Sequence, residues 1–200
     1  MEYLGLKFEI LDQVYEPCDD SFLFAENLEI NKGDFVLEVG TGCGLLSIIA
    51  AARGAHVISI DISPIAIKCA LKNSRLNKVE NRINFLVGNL LNPLIPYCFD
   101  VIIFNPPYLP GTCDKSDLLA KSWSGGEKGN EIILEFLEMV DNYVHLKSRI
   151  LIIISSLSRP KEIFETIKNK SMEFKILKEE KYFFEKIMLI EIKKNQEVLI

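Results

Sequence analysis

Histidine and tryptophan are scarce in this chain of 200 residues, which holds two of the first and one of the second. Its five cysteines (Cys18, Cys43, Cys69, Cys98 and Cys113) stand far apart, and no Cys-x-x-Cys pair occurs. These shortages exclude a structural zinc site or a disulfide framework as the organising principle. No metal is expected, and a reducing cytoplasm is the expected compartment. There is no excess of positive charge: 23 Lys and Arg face 28 Asp and Glu, for a net charge of −5. Strong direct binding to bare nucleic acid, which depends on a basic face, is not expected. Long hydrophobic runs are also missing. The longest aliphatic stretch, Ile150 to Ile154, is far too short to span a bilayer. The opening MEYLGLKFEILD has no basic region followed by an apolar one, so neither a secretory signal nor membrane association is expected. With no repeat and no Pro/Gly/Ser linker, residues 1–200 read as one domain.

What is present is an alternation. Phe35 to Val39 reads as a buried strand, followed by a glycine-rich turn and the helical run Leu45 to Arg53. His56 to Ile60 reads as a strand and Pro64 to Asn77 as a helix, with Ser63 as its cap and Pro64 at its first position. Strands are expected at Ile83 to Val87, Val101 to Phe104 and Ile150 to Ile154, with a helix from Glu131 to about Val144 before the last of these. A helix over Lys161 to Lys170 is followed by two β-like runs, Phe174 to Leu177 and Lys186 to Ile192, which suit a hairpin turning around Lys178 to Glu185. Such alternation implies an α/β fold with a mostly parallel sheet and helices on both faces. Ligands of these sheets bind beyond the carboxyl ends of the strands, so the residues there carry the functional reading.

The first strand ends in Glu38-Val39-Gly40-Thr41-Gly42-Cys43-Gly44. Glycines at alternate positions turn the chain tightly and let a ligand approach the backbone, although a structural turn alone would use them too. Glu38 sharpens the reading, because a carboxylate there repels phosphate and suits an ammonium group. The second strand ends in Asp61, an acid placed to accept from two ribose hydroxyls, or to serve the N-terminus of the next helix. Asn89, after the third strand, could read an adenine edge or merely make a turn. The fourth strand ends in Asn105-Pro106-Pro107-Tyr108, where two prolines stiffen the turn. The Asn105 side-chain oxygen and the Pro106 carbonyl then form two acceptors matched to a planar NH₂ group, with the Tyr108 ring beside it.

These residues together resemble the class I S-adenosylmethionine (AdoMet)-dependent methyltransferases that modify planar amino or amide nitrogens. The likeness is greater to the HemK-like protein glutamine-N5 methyltransferases, in the short archaeal and eukaryotic branch. Val14-Tyr15-Glu16-Pro17-Cys18-Asp19-Asp20-Ser21-Phe22-Leu23 is similar to that branch's opening segment, and Ser122-Trp123-Ser124-Gly125-Gly126-Glu127-Lys128-Gly129 to its Trp-x-Gly-Gly-x-x-Gly loop. The resemblance implies a Rossmann-like domain with seven strands in the order 3-2-1-4-5-7-6, residues 1–30 covering the cofactor and 31–200 forming the catalytic core. It implies that Gly40, Gly42 and Gly44 approach AdoMet, that Glu38 shapes the methionine end with Ser21 and Asp20 nearby, that Asp61 holds the ribose, and that Asn89 and Leu90 lie by adenine. It assigns catalysis to Asn105, Pro106 and Tyr108, and substrate contact to Asn105, Pro107, Tyr108 and Trp123, although a lone tryptophan is as readily a core anchor. The implied substrate is the glutamine of a Gly-Gly-Gln loop in a translation termination factor. Protein lysine, adenine N6 and guanine N2 remain alternative acceptors. The resemblance also implies a small zinc-binding activator protein, and the nearly uncharged strand Ile83 to Val87 at the sheet edge is its expected dock.

Overall fold

A computed structural model describes residues 1–112, 114 and 119–195. Two short strands, β1 (Glu2–Tyr3) and β2 (Leu6–Lys7), pair with each other and precede α1 (Asp19–Glu26). The main sheet contains β3 (Phe35–Val39), β4 (His56–Asp61), β5 (Ile83–Val87), β6 (Phe99–Phe104), β7 (Val144–Ser155), β8 (Met172–Lys181) and β9 (Lys186–Lys194). The helices between them are α2 (Leu45–Ala52), α3 (Pro64–Leu76), α4 (Glu131–Met139) and α5 (Pro160–Asn169). The sheet order is β5-β4-β3-β6-β7-β9-β8, with β9 antiparallel to both its neighbours and every other pair parallel. Numbered within the sheet, this is the expected 3-2-1-4-5-7-6. The order reverses between β3 and β6, so the loops after these two strands open onto the same crevice.

Alternation along the central strands explains the two-sided core. Val36, Val101, Ile103, Leu151 and Ile153 pack on one face with α1 and α2, where Phe24, Ile48 and Ile49 are buried. Leu37, Val39, Ile102, Phe104 and Ile152 pack on the other with Phe136 of α4 and Ile163 of α5. A strand covered on both faces reads as a continuous apolar run, which is why β3, β6 and the end of β7 were visible in the sequence. Three boundaries differ from expectation. β7 begins at Val144 instead of Ile150: Val144 lies opposite Phe99 and Arg149 opposite Val101, so the extra residues bulge from β7, and Ser148 in that bulge donates to the Phe99 carbonyl. β8 runs through the charged Lys178–Lys181, which an edge strand tolerates with one side in water, so the hairpin turn narrows to Tyr182–Glu185. The helix expected to reach Val144 stops at Met139 and tightens into a 3-10 turn over Val140–Tyr143.

The N-terminal segment is fastened to the core before α1 begins. Phe8 and Val14 are buried against the α2 face. Asn73 of α3, fully buried, accepts from Glu9 N at 2.9 Å and donates to the carbonyls of Glu9 and Cys43 at 2.9 Å each. One side chain thus joins the N-terminal segment to the turn after β3. Cys18, Cys43, Cys69 and Cys98 are free thiols, and Cys113 lies outside the described residues. Among the described residues no helix is long and apolar enough to cross a membrane.

Asn73→Ala removes a partner from Glu9 N, Cys43 O and Glu9 O, of which the last keeps Cys69 Sγ as a donor. It is expected to lower the unfolding free energy by about 2–4 kcal/mol in a urea titration, with little change in the m-value.

Candidate active site

The turn from β3 into α2 is shaped by backbone geometry. Gly40 N donates to Ile60 O at 2.8 Å and Gly44 N to Thr41 O at 2.8 Å. Gly40 has φ +74°, and a Cβ there would meet nothing closer than Asn105 O at 3.8 Å, so its missing side chain leaves open space beside the turn. Gly42 likewise borders open space. Gly44 has a different reason: at φ +88° its Cβ would sit 3.0 Å from Ala70 Cβ and 3.2 Å from Ile48 Cδ1. It lets α2 pack on α3, and it faces that helix and not the crevice, where the sequence reading had placed it.

Glu38 is 2% exposed beneath this turn. One of its oxygens, Oε2, accepts from Thr41 Oγ1 at 2.8 Å, from Ser59 Oγ at 3.0 Å and from Ser47 Oγ. Burial pushes the Glu38 carboxyl up to about 7, against the pull of these three hydroxyls. Asp61, at the end of β4, accepts from Gly42 N at 2.9 Å and from Ser63 N at 2.8 Å. Burial raises its carboxyl and the two amides lower it, with burial the larger effect. Asp61 therefore ties the glycine turn to the start of α3, where Ser63 caps and Pro64 begins the helix as expected. Each Asp61 oxygen accepts one of these amides and keeps a lone pair for a further donor.

Across the crevice, Asp20 in the first turn of α1 collects the second set of contacts. Its carboxylate accepts from Tyr15 OH at 3.1 Å, Tyr108 OH at 3.2 Å, Ser21 N at 2.6 Å and Asn105 Nδ2 at 3.2 Å. Asn105 Nδ2 also lies 3.4 Å from Ser21 Oγ. The NH₂ end of Asn105 therefore faces Asp20. The amide oxygen, Oδ1, is then the uncommitted end, and it is buried without a partner. Burial first, and Asp20 second, push the Tyr108 phenol far above its usual range, so its hydroxyl remains a donor. The pairing of Asp20 with Tyr108 spans 88 residues and has no signature in the linear sequence. Cys18 stands at the cap position, and Asp19 and Asp20 both lie inside the helix.

The Asn-Pro-Pro-Tyr turn is braced by the tryptophan loop. Leu109 N donates to Trp123 O at 3.0 Å, Gly125 N to Leu109 O at 2.9 Å and Gly111 N to Gly126 O at 2.8 Å. A Cβ on Gly125 would come within 2.7 Å of Pro107 O, so only glycine lets the loop lie against the turn. Trp123 is 43% exposed on the crevice wall, which rules out the core-anchor reading.

One cavity of about 550 Å³ joins these parts. Asp20, Ser21, Glu38, Gly40, Gly42, Asp61, Asn89, Leu90, Asn105, Pro106, Pro107, Tyr108 and Trp123 all line it. Val14, Tyr15 and Ile62 line it too. Ile62, 40% exposed, was missed; its position directly after Asp61 was the available signal. Among the described lining residues there are three carboxylates and no Lys, Arg or His. Such a wall disfavours phosphate and favours a ligand with positive charge. Its size suits a molecule of nucleoside-amino-acid dimensions.

A crevice at the switch point, a glycine turn over a buried acid, and an Asn-Pro-Pro-Tyr corner facing both define a class I methyltransferase. Comparison with known proteins narrows this. The family described as the methyltransferase small domain matches residues 18–123. A relative from Methanocaldococcus jannaschii, provisionally named as a protein N5-glutamine methyltransferase, is 37% identical over 193 residues, covering 95% of this chain and 96% of its own. Human methyltransferase HEMK2 is 30% identical over 173 residues, 80% of each chain. A solved E. cuniculi Mtq2–Trm112 complex, described as responsible for methylating the eRF1 translation termination factor, superposes with a TM-score of 0.69 at 25% identity, over 92% of this chain and 99% of the matched one. A Pyrococcus furiosus methyltransferase shares the fold, with a TM-score of 0.72 at 17% identity over 96% of this chain and 90% of its own. The chain belongs to the methyltransferase small domain family and, within it, to the protein N5-glutamine methyltransferases. That membership makes it an enzyme and implies an AdoMet-type methyl donor.

Glu38 yields a pH test. Its folded pKa of about 7 stands above the ordinary 4.5. The stability tied to its protonated form is therefore complete below about 4.5 and is lost as pH rises through about 7. The unfolding free energy of the ligand-free protein, minus that of Glu38→Gln, is expected to fall by on the order of 3 kcal/mol across this window. A flat difference would show that the carboxyl stays ionised throughout.

Proposed function

We propose that this enzyme transfers the methyl group of AdoMet to the side-chain amide nitrogen of the glutamine in a Gly-Gly-Gln loop of a translation termination factor. The observation that carries the reading is Asn105 on the cavity wall, with its Nδ2 end taken by Asp20 and its Oδ1 buried without a partner. An acceptor fixed in this way suits one N–H of a planar NH₂ group, and the Pro106 carbonyl suits the other. The names of the relatives support glutamine as the acceptor, and the described eRF1 activity of the E. cuniculi complex supports a termination factor.

AdoMet fits the cavity by charge and by space, since its sulfonium and ammonium meet carboxylates and the glycine turn has no Cβ in the way. In this reading Glu38 faces the ammonium end, directly or through water, with Ser21 and Asp20 nearby. Asp61 accepts from the ribose hydroxyls, Asn89 and Leu90 flank adenine, and Ile62 adds an apolar wall. Residues 1–30 cover the ligand. AdoMet supplies an electrophilic methyl carbon bonded to a positively charged sulfur. The task left to the protein is to hold a poor nucleophile in line with that carbon. Asn105 and Pro106 grip both N–H groups and stabilise the positive charge that grows on nitrogen, while Tyr108, Pro107 and Trp123 wall the planar group. Held there, the amide nitrogen would take the methyl group, with the C–S bonding pair left on sulfur. The nitrogen, now far more acidic, sheds its proton to water, so no general base is needed.

The sheet edge supports a partner. At one edge, β8 carries Lys175, Lys178, Glu179, Glu180 and Lys181, charges that guard against strand addition. At the other, β5 reads Ile83-Asn84-Phe85-Leu86-Val87 with no charge, and Val87 is 51% exposed. Arg82 does not shield this edge: its guanidinium donates to Gly54 O, on the inner side of β5. A small activator of the kind seen with Mtq2, zinc-binding as the resemblance implies, suits β5 by strand addition. A termination factor as substrate also fits the cytoplasm.

Labelled methyl transfer tests the substrate directly, using a termination factor, its loop Gln→Ala variant, histone-type peptides and tRNA. Label is expected on the factor and absent from the Gln→Ala variant; labelling of peptide lysine or tRNA instead would sink the assignment. Asn105→Ala should reduce transfer by about 100-fold or more while AdoMet affinity stays nearly intact. Equal loss of both would make Asn105 structural. Charging the free edge with Asn84→Lys and Val87→Lys should weaken activator binding by about tenfold or more in calorimetry. A wild-type chain that is fully active and monomeric without a partner would remove the case for one.

A further inference from the structure

We propose that the tip of the β8–β9 hairpin is a docking platform for the protein substrate, seated beside the pocket that takes the modified side chain. The proposal rests on the reading that the substrate is a folded protein. β9 lies antiparallel on β7 with Ser155 opposite Ile187, so the tip stands by the carboxyl end of β7. β6 runs parallel to β7, and Asn105 follows its carboxyl end, so the tip and the catalytic corner share one end of the sheet.

The tip has a composition that folding does not require. Tyr182 N donates to Glu185 O at 2.7 Å and closes the turn around Phe183 and Phe184. Turns of this kind are ordinarily built from glycine, asparagine or aspartate. Here two phenylalanines stand 93% and 84% exposed, edge to face with centroids 4.5 Å apart. Neither ring is buried, and adjacent exposed aromatics are the residue type that anchors protein interfaces.

The residues flanking the tip connect it to the catalytic corner. Tyr182 and Glu185 line a recess of about 160 Å³ together with Tyr15, Asp19, Asp20 and Tyr108. Asp20 and Tyr108 are also walls of the main cavity, so the surface is continuous from the phenylalanines to Asn105. The described recess residues include three carboxylates and no cationic side chain. A partner suited to this surface offers an apolar patch to the two rings and Lys or Arg toward the recess. The same acidity, on a chain of net charge −5, works against a second copy as the occupant.

The test is the double variant Phe183→Ser, Phe184→Ser, assayed on the folded termination factor and on a short peptide carrying only its Gly-Gly-Gln loop. For the folded factor, KM should rise about tenfold or more with kcat at saturation unchanged. AdoMet affinity, thermal midpoint and kcat/KM on the peptide should match the wild type. An unchanged KM for the factor overturns the platform, as does equal loss on factor and peptide, which would mark a structural role. Conversion of a wild-type dimer to monomers with KM unchanged would make the tip a self-association surface instead. A wild-type enzyme that leaves the factor unmethylated overturns the substrate assignment itself, and the occupant named here with it.

Discussion

The carboxylate of Asp20 governs the chemistry of this molecule. It is buried, it accepts from Tyr15, Tyr108 and Ser21, and it takes the NH₂ end of Asn105. An asparagine amide can face either way, and the two orientations present opposite chemistry to a ligand. Asp20 removes that choice. With the donor end bound, the amide oxygen is left buried and without a partner. The N-terminal part of the chain thus reaches the catalytic corner, because α1 carries the group that bonds the Asn105 amide.

Charge on the opposite wall follows the same logic. Glu38 lies deep under the glycine turn, where burial works against its ionisation and three hydroxyls work for it. With Asp61 and Asp20 it leaves the described cavity wall with negative groups only. A cation entering the cavity restores what burial has taken from these carboxylates, and an anion would add to the penalty. The lack of histidine at the site is consistent with catalysis by orientation, since a nitrogen that has gained a methyl group can lose its proton without a dedicated base.

Packing turns these local features into one site. Asn73 holds the N-terminal segment to the β3–α2 turn, Gly44 lets α2 settle on α3, and Gly125 lets the tryptophan loop lie against Pro107. The first two position the half of the cavity that suits the cofactor, and the third positions the half that suits the acceptor. The reversal of strand order between β3 and β6 brings the halves together.

The strands of the sheet are legible along the chain, because strands buried on both faces read as apolar runs, whereas their order came from the family resemblance. The chain also spells out the residue types beyond each strand end: the glycine turn with Glu38, then Asp61, then Asn105-Pro106-Pro107-Tyr108. Those positions are local, and local chemistry is visible in a linear string. Assembly of the fold settles that the Asn105 NH₂ end meets Asp20, that Gly44 serves helix packing, that Trp123 stands at the cavity and outside the core, and that the residues flanking Phe183 and Phe184 share a recess with Asp20 and Tyr108. Each of these depends on a partner distant in the chain (Asp20 for Asn105, Ala70 for Gly44, Leu109 for the Trp123 loop, Asp19 and Tyr108 for the hairpin tip). Such contacts arise when the sheet assembles, and no spacing along the chain records them.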